Sequence, residues 1–335
     1  MSTPDRSMTG FRASILLGCL CLLFPTTVIA QGKYVVHDDL FSVTFPTETD
    51  GWACGRFGTI LHTSDGGATW RPQSSGTTFT LSSIYFFADS KNGWAVGKKG
   101  TILHTSDGGL TWTKQESPVD YFHMDVYFVS PRKGFIVSER THILATTDGG
   151  RTWEVRFEDE DYILKSISFC DEQHGWAVGE FGHTYGTRDG GESWEKQAGY
   201  YEMDWDTGFI KGDDFLFDVV ATDPQTVWAV GIQGTVKRTT DGGNTWESVD
   251  TGAPKVQLFT IASSGKGFLV IAGNGACLFS EDGGRTWRDS TFKPTIEYGW
   301  IYDVEALAPG QFTACGDEGA VYRKPSGGSW QRVGY

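Results

Sequence analysis

One segment constrains this chain more than any other, because the chain keeps returning to it. Residues 93–112 read Gly-Trp-Ala-Val-Gly, two lysines, Gly-Thr-Ile-Leu-His-Thr and finally Ser-Asp-Gly-Gly-Leu-Thr-Trp. The second half fits Ser/Thr-x-Asp-x-Gly-x-Thr/Ser-Trp, and it recurs at 63–70, 146–153, 187–194, 239–246 and 280–287, with a worn copy at 325–330. The closing tryptophans Trp70, Trp112, Trp153, Trp194, Trp246, Trp287 and Trp330 are spaced by 42, 41, 41, 52, 41 and 43 residues. A period near forty with about four short apolar runs per period is the signature of a β-propeller blade. Seven copies predict an all-β, seven-bladed β-propeller with four-stranded antiparallel blades.

The residues of the box explain why it recurs without catalysing anything. Asp-Gly-Gly makes a tight turn in which the glycines supply positive φ and the aspartate caps backbone N–H groups. Asp65, Asp107, Asp148, Asp189, Asp241 and Asp282 are therefore read as structural. The box tryptophan is expected to pack between neighbouring sheets, so that Trp112→Ala costs about 3–5 kcal/mol.

Residues 1–30 read as a signal peptide and 31–335 as the propeller. Arg6 and Arg12 precede an apolar run at 13–24, and Val28-Ile29-Ala30 ends it on a small residue. A competing cleavage box, Leu16-Leu17-Gly18-Cys19, would leave a lipid anchor on Cys19. No later segment approaches the roughly 20 apolar residues of a membrane span. Export to a periplasm or thylakoid-lumen-like compartment follows, as a monomer. With 28 Lys and Arg against 42 Asp and Glu, the net charge of −14 argues against nucleic-acid binding. Cys54 and Cys315 hold equivalent repeat positions, which point alike, so buried free thiols are expected rather than a disulfide.

Alternation of apolar residues places four strands in each repeat, the innermost at 41–45, 82–87, 124–129 and so on round the chain. Because repeats coincide nearly with whole blades, the short run 33–36 is a candidate to close the ring against the last blade. Each innermost strand carries Ser42, Ser83, Asp125, Ser166, Asp218, Thr260 or Asp303 at one position. Three aspartates there suggest a metal or acid/base site, but alternation with Ser and Thr favours a belt of hydrogen bonds. No histidine pair has metal-ligand spacing, and neither a metal nor a cofactor is expected.

Function should lie where the repeats differ. The loops between second and third strands offer Arg56, then Lys98 and Lys99, then Arg140, a basic arc on an acidic protein. Loops joining one blade to the next add Tyr121, Tyr162, Tyr298 and Trp300, and the long fourth interval adds Tyr201 and Trp205. Long aromatic loops inside compact repeats suit a contact surface. Arg56, Lys98, Lys99, Arg140, Tyr121, Tyr162, Tyr201, Trp205 and Trp300 are the candidate partner-binding residues; no catalytic residue is assigned.

The joined pattern Gly-Trp-Ala-Val-Gly-x-x-Gly-Thr-Ile-Leu-x-Thr-x-Asp-Gly-Gly-x-Thr-Trp, repeated behind a signal peptide, resembles the photosystem II assembly and stability factor family, a branch of the neuraminidase-like repeat proteins. The resemblance covers roughly residues 33–335. It implies a propeller without catalysis that holds a membrane-protein assembly intermediate, docking its client through an arginine-rich patch. Only Arg56, Lys98, Lys99 and Arg140 match that patch here, half of it as lysine. The rival class is a glycan-binding or glycoside-hydrolysing propeller, for which Asp204, Asp206, Asp213 and Asp214 are the available carboxylates.

Overall fold

The computed structural model describes residues 36–208, 210–296 and 299–334. The signal peptide, Cys19, Tyr298 and residues 33–35 of the proposed closing run lie outside them.

Seven four-stranded antiparallel sheets follow one another along the chain, each ordered as its strands occur in sequence. In the second blade these are Leu81–Phe86, Gly93–Gly97, Thr101–Thr105 and Thr113–Gln115. The inner strand of each blade packs against those of both neighbours, so the sheets form a closed ring. The second strand is buried at every position, which explains its composition. Sheets pressing from both sides leave room for Trp, Ala and Val but not for a side chain at either end. A Cβ on Gly97 would run into the carbonyl of Thr80, and one on Gly93 into the Phe86 ring.

The box turns form as the sequence implies. Gly108 and Gly109 have φ of 73° and 80°. Asp107 Oδ1 accepts the Thr111 N–H at 2.9 Å and Oδ2 accepts the Thr111 hydroxyl at 2.6 Å, while Thr105 Oγ1 accepts the Gly109 N–H at 2.8 Å. The same bonds recur about Asp65, Asp148, Asp189, Asp241 and Asp282.

A second aromatic residue, in the second strand of each of the first three blades, also joins neighbouring blades. Trp52 stacks on Phe86 of the next blade at 3.8 Å, Trp94 lies over Phe128 at 4.1 Å, and Phe135 stacks on Phe169 at 4.8 Å. Trp112 instead meets Phe86 of its own blade edge-on at 5.8 Å and is half-buried. The box tryptophan nevertheless reaches the preceding blade as expected, since Trp112 donates to Gln73 Oε1 at 3.3 Å and Trp287 meets Trp228 at 5.9 Å, but the half-burial of Trp112 lowers the expected cost of Trp112→Ala.

Among the described residues the closing seam is made by strand and side-chain contacts between the last blade and the first. Blade seven completes its own sheet with Gln331–Val333, and Val36, the described end of the 33–36 run, belongs to no strand. Blade seven reaches blade one through side chains: Asp303 Oδ2 accepts the Val43 N–H at 2.9 Å and Glu305 Oε2 accepts the Phe45 N–H at 2.9 Å. Arg323 donates to the carbonyls of Gly66 and Glu48 at 2.8 and 3.1 Å and lies over the Phe45 ring. Val36, Leu40, Val43, Cys315 and Val321 form the apolar side of this seam. The four described cysteines are free thiols, three of them buried and Cys170 half-buried.

Candidate functional site

The hydrogen-bond belt around the channel is present. Ser42 accepts the Ile84 N–H, Ser83 that of Val126, Asp125 that of Ile167, Asp218 that of Ile261, Thr260 that of Val304, and Asp303 returns to Val43. At the remaining seam Ser166 Oγ donates to Asp218 Oδ1 at 2.6 Å. Six of the seven seams are therefore held by a belt side chain on the backbone of the next blade, and the remaining one by a pair of belt side chains. Among the described residues no group of three or more His, Cys, Asp or Glu is arranged to hold a metal ion.

These carboxylates are buried and, among the described residues, form no ion pair, although Lys165 lines the same cavity. Burial, with the Asp303 charge beside it, pushes Glu305 up to about 8. Burial likewise raises Asp218 to about 7 and Asp303 to about 6. A carboxyl whose folded pKa is raised contributes stability that is complete below its unfolded pKa and is lost as pH rises through the folded one. The melting temperature should therefore fall from about pH 4 to about pH 8, and Glu305→Gln should flatten the upper end of that limb most; a wild-type profile already flat across this range would refute the assignment. The box aspartates act in the opposite window. Hydrogen bonds from the Thr245 hydroxyl and N–H hold Asp241 down at about 2, so its contribution is lost only as pH falls through that value.

A second ring above the belt was not foreseen. Every inner strand carries a one-residue register shift at Phe41, Ser82, Met124, Lys165, Phe217, Phe259 or Tyr302. A bulge re-aims the extra residue, and here all seven line the channel mouth above a cavity of about 130 Å³. The only sequence signal was their place just before the recurring Ser, Thr or Asp.

The loops between second and third strands surround this mouth. Their second residue adopts left-handed backbone, with φ of 56° at Phe57, 59° at Lys99 and 59° at Arg140. Arg56 and Lys98 thus hold equivalent positions, as do Lys99 and Arg140, while Glu139 takes the place of Arg56 in blade three. Arg56 is paired with Asp39 at 2.6 Å and lies over Phe41; Arg140 faces Asp161 at 4.0 Å and covers the Tyr121 ring at 5.1 Å. Among the described residues Lys98 and Lys99 carry no carboxylate partner, and Lys98 lies over Phe122. Glu139 and Glu180 accept the N–H groups of Phe122 and Ile163 in the adjoining loops.

The aromatic candidates divide into three places. Tyr121 belongs with Arg140. Tyr162 stacks on His183 at 4.0 Å and meets Tyr201 at 5.8 Å, with Phe181 between them. Trp300 packs on Phe259 at 5.5 Å, beside the channel mouth. Trp205 joins none of them and stands 85% exposed at the tip of a hairpin. Of the carboxylates considered for hydrolysis, Asp204 caps the hairpin turn through the N–H groups of Asp206 and Thr207, and Asp214 accepts the Thr235 hydroxyl.

Ring, belt and box turns together define a seven-bladed Asp-box β-propeller with a polar, aromatic-studded loop face. The model of the family described as photosynthesis system II assembly factor YCF48 matches residues 30–117, 111–198 and 197–333, and the chain belongs to that family. A curated relative, the photosystem II assembly lipoprotein Ycf48 of Synechococcus sp. (strain CC9902), is 30% identical over 118 residues, which is 34% of this chain and 35% of that protein. The match thus spans about a third of the relative's length. Among solved structures, YCF48 bound to D1 peptide aligns with a TM-score of 0.69 at 21% identity, covering 86% of this chain and 94% of that one. The GH74 enzyme of Niastella koreensis aligns equally well, with a TM-score of 0.69 at 14% identity over 89% of this chain and 54% of that one. At such identities both likenesses speak for the fold alone. Among the described residues no helix is long and apolar enough to cross a membrane.

Proposed function

We propose that this chain is an exported, non-catalytic propeller that holds a protein segment of a membrane-protein assembly intermediate against its loop face. The observation that carries the reading is the pair Lys98 and Lys99, cations without carboxylate partners among the described residues, flanked by Arg56, Arg140 and Tyr121 on a protein of net charge −14. An unpaired basic patch steers an acidic segment and fixes its register, and neighbouring aromatic rings supply contact area at small entropic cost. The D1 peptide bound to YCF48 supports a polypeptide ligand for a propeller of this family. The lipoprotein name of the Synechococcus relative supports export and an anchor at Cys19.

The test is capture of a client from the host's detergent-solubilised envelope by the tagged protein. Lys98→Glu with Lys99→Glu should reduce capture on the order of tenfold without lowering the melting temperature, because both side chains are exposed. Adding Arg56→Glu and Arg140→Glu should weaken it further by less, since Asp39 and Asp161 already offset those charges. Undiminished capture by the fourfold reversal would sink the basic-face reading.

A further inference from the structure

Between blades four and five the chain makes a detour found in no other interval. Tyr201–Met203 pairs with Ile210–Gly212, setting Tyr201 opposite Gly212, Glu202 opposite Lys211 and Met203 opposite Ile210. These strands form a sheet of their own, and among the described residues neither outer edge is paired. The base of the hairpin is fixed. Tyr201 packs on Phe181 at 4.5 Å, Phe181 on Phe215 at 4.7 Å, and the Tyr200 N–H donates to the Phe181 carbonyl at 3.2 Å.

The outer part of the hairpin covers nothing. Trp205 is 85% exposed, Ile210 49% and Tyr200 43%. Large apolar side chains held out on a fixed stem mark a contact surface, and Trp and Tyr are the residues most used to anchor one. The surface also has a definite sign. Glu202, Asp204, Asp206, Asp213 and Asp214 are all exposed, with Lys211 as the one basic residue of 200–214. The neighbouring loop Glu158-Asp159-Glu160-Asp161 adds four more acids, and Tyr162 ties it to the same aromatic base.

We propose that this hairpin is a docking strand for an extended, basic segment of a partner polypeptide. The segment adds to an open edge as a third strand, lays an apolar side chain on Trp205 and sets its cations against the surrounding carboxylates. Open edges offer rows of N–H and C=O groups for strand addition, while alternate side chains provide selectivity. The charge decides the occupant, since an anionic lipid surface or an acidic segment is repelled here and suited to the Lys98–Lys99 side. The inference rests on the reading of the loop face as a protein-docking surface, and it gives that face a second pole of opposite charge.

The full chain is titrated calorimetrically with three blocked hexapeptides: alternating lysine and valine, alternating glutamate and valine, and the lysine peptide methylated on alternate backbone nitrogens. The indole resonance of Trp205, assigned from Trp205→Phe, is followed in parallel. The lysine peptide should bind and shift that resonance, and Trp205→Ala should weaken it about tenfold. Asp204→Asn with Asp206→Asn should weaken it comparably and reduce its salt dependence. Backbone methylation should abolish it, whereas Lys98→Glu with Lys99→Glu should leave it intact, so failure here and failure of the basic face are separable. Equal binding of the lysine and glutamate peptides, or of the methylated peptide, would overturn the proposal. Undiminished binding by a folded variant with two glycines in place of 201–212 would do the same.

Discussion

Replacing Asp303 and Glu305 together by alanine should destabilise this chain by about 4 kcal/mol, measured as a shift in urea midpoint at unchanged slope. Both side chains stand at the seam where the last blade meets the first, and each accepts a backbone N–H of the first inner strand. Removing them orphans the Val43 and Phe45 N–H groups, each worth about 1–3 kcal/mol when buried without a partner. The location magnifies the effect. At the other six seams the chain itself runs from one blade into the next and keeps them adjacent after a side chain is lost, whereas among the described residues the first and last blades are held by contacts alone. Part of the loss is offset, because the carboxyls are buried without an ion pair among the described residues and their ionised forms are costly. Asp303→Asn and Glu305→Gln keep an acceptor and discard the charge, so at pH 8 they should be neutral or stabilising. A double alanine variant that loses less than about 1 kcal/mol would mean that the apolar seam around Leu40, Val43 and Val321 closes the ring unaided.

What the sequence revealed of this architecture is what repeats in a fixed register. Asp107, Gly108 and Gly109 could be read because their turn depends on chemistry within eight residues. The Ser and Asp belt could be read because one position recurs in every blade, although its partners lie some forty residues away. The bulge ring was hidden because a one-residue insertion leaves the apolar alternation on either side intact, and its seven residues mix four aromatic rings with Ser82, Met124 and Lys165. The part Asp303 plays in closure was hidden for a related reason: Asp303 looked like every other belt residue, and only space shows that its carboxylate reaches back across 260 positions to Val43.

The candidate site was legible as a list of side chains but not as a charge pattern. Arg56 and Arg140 announced a basic arc, while their partners Asp39 and Asp161 belong to loops that reveal their proximity only after folding. Lys98 and Lys99 emerge as the exposed core of that arc by comparison. The insertion was visible as a spacing of 52 where 41 is usual, yet its pairing as a separate hairpin was not, because Glu202 and Lys211 are spaced by a tip whose turn is made by Asp204.

Replacing Trp94 by alanine should cost about 4–5 kcal/mol, whereas Trp112→Ala should cost roughly 1–3 kcal/mol. Trp94 is only 2% exposed and fills the gap between the second and third blades, against Phe128 at 4.1 Å, Phe87 at 5.5 Å and His104 at 4.6 Å. Its indole N–H has no partner among the described residues, so truncation removes apolar contact without leaving a broken hydrogen bond. The cavity left behind has little means to collapse, because both flanking sheets are held apart by the belt and by their neighbours in a closed ring. Trp112 is half-buried and donates to Gln73 Oε1 at 3.3 Å, so water can take the space it leaves. Trp94→Phe should recover more than half of the loss by keeping a ring against Phe128, as Phe135 already does against Phe169 in the next seam. Equal losses for Trp94→Ala and Trp112→Ala in denaturant titrations would return the role of inter-blade rivet to the box.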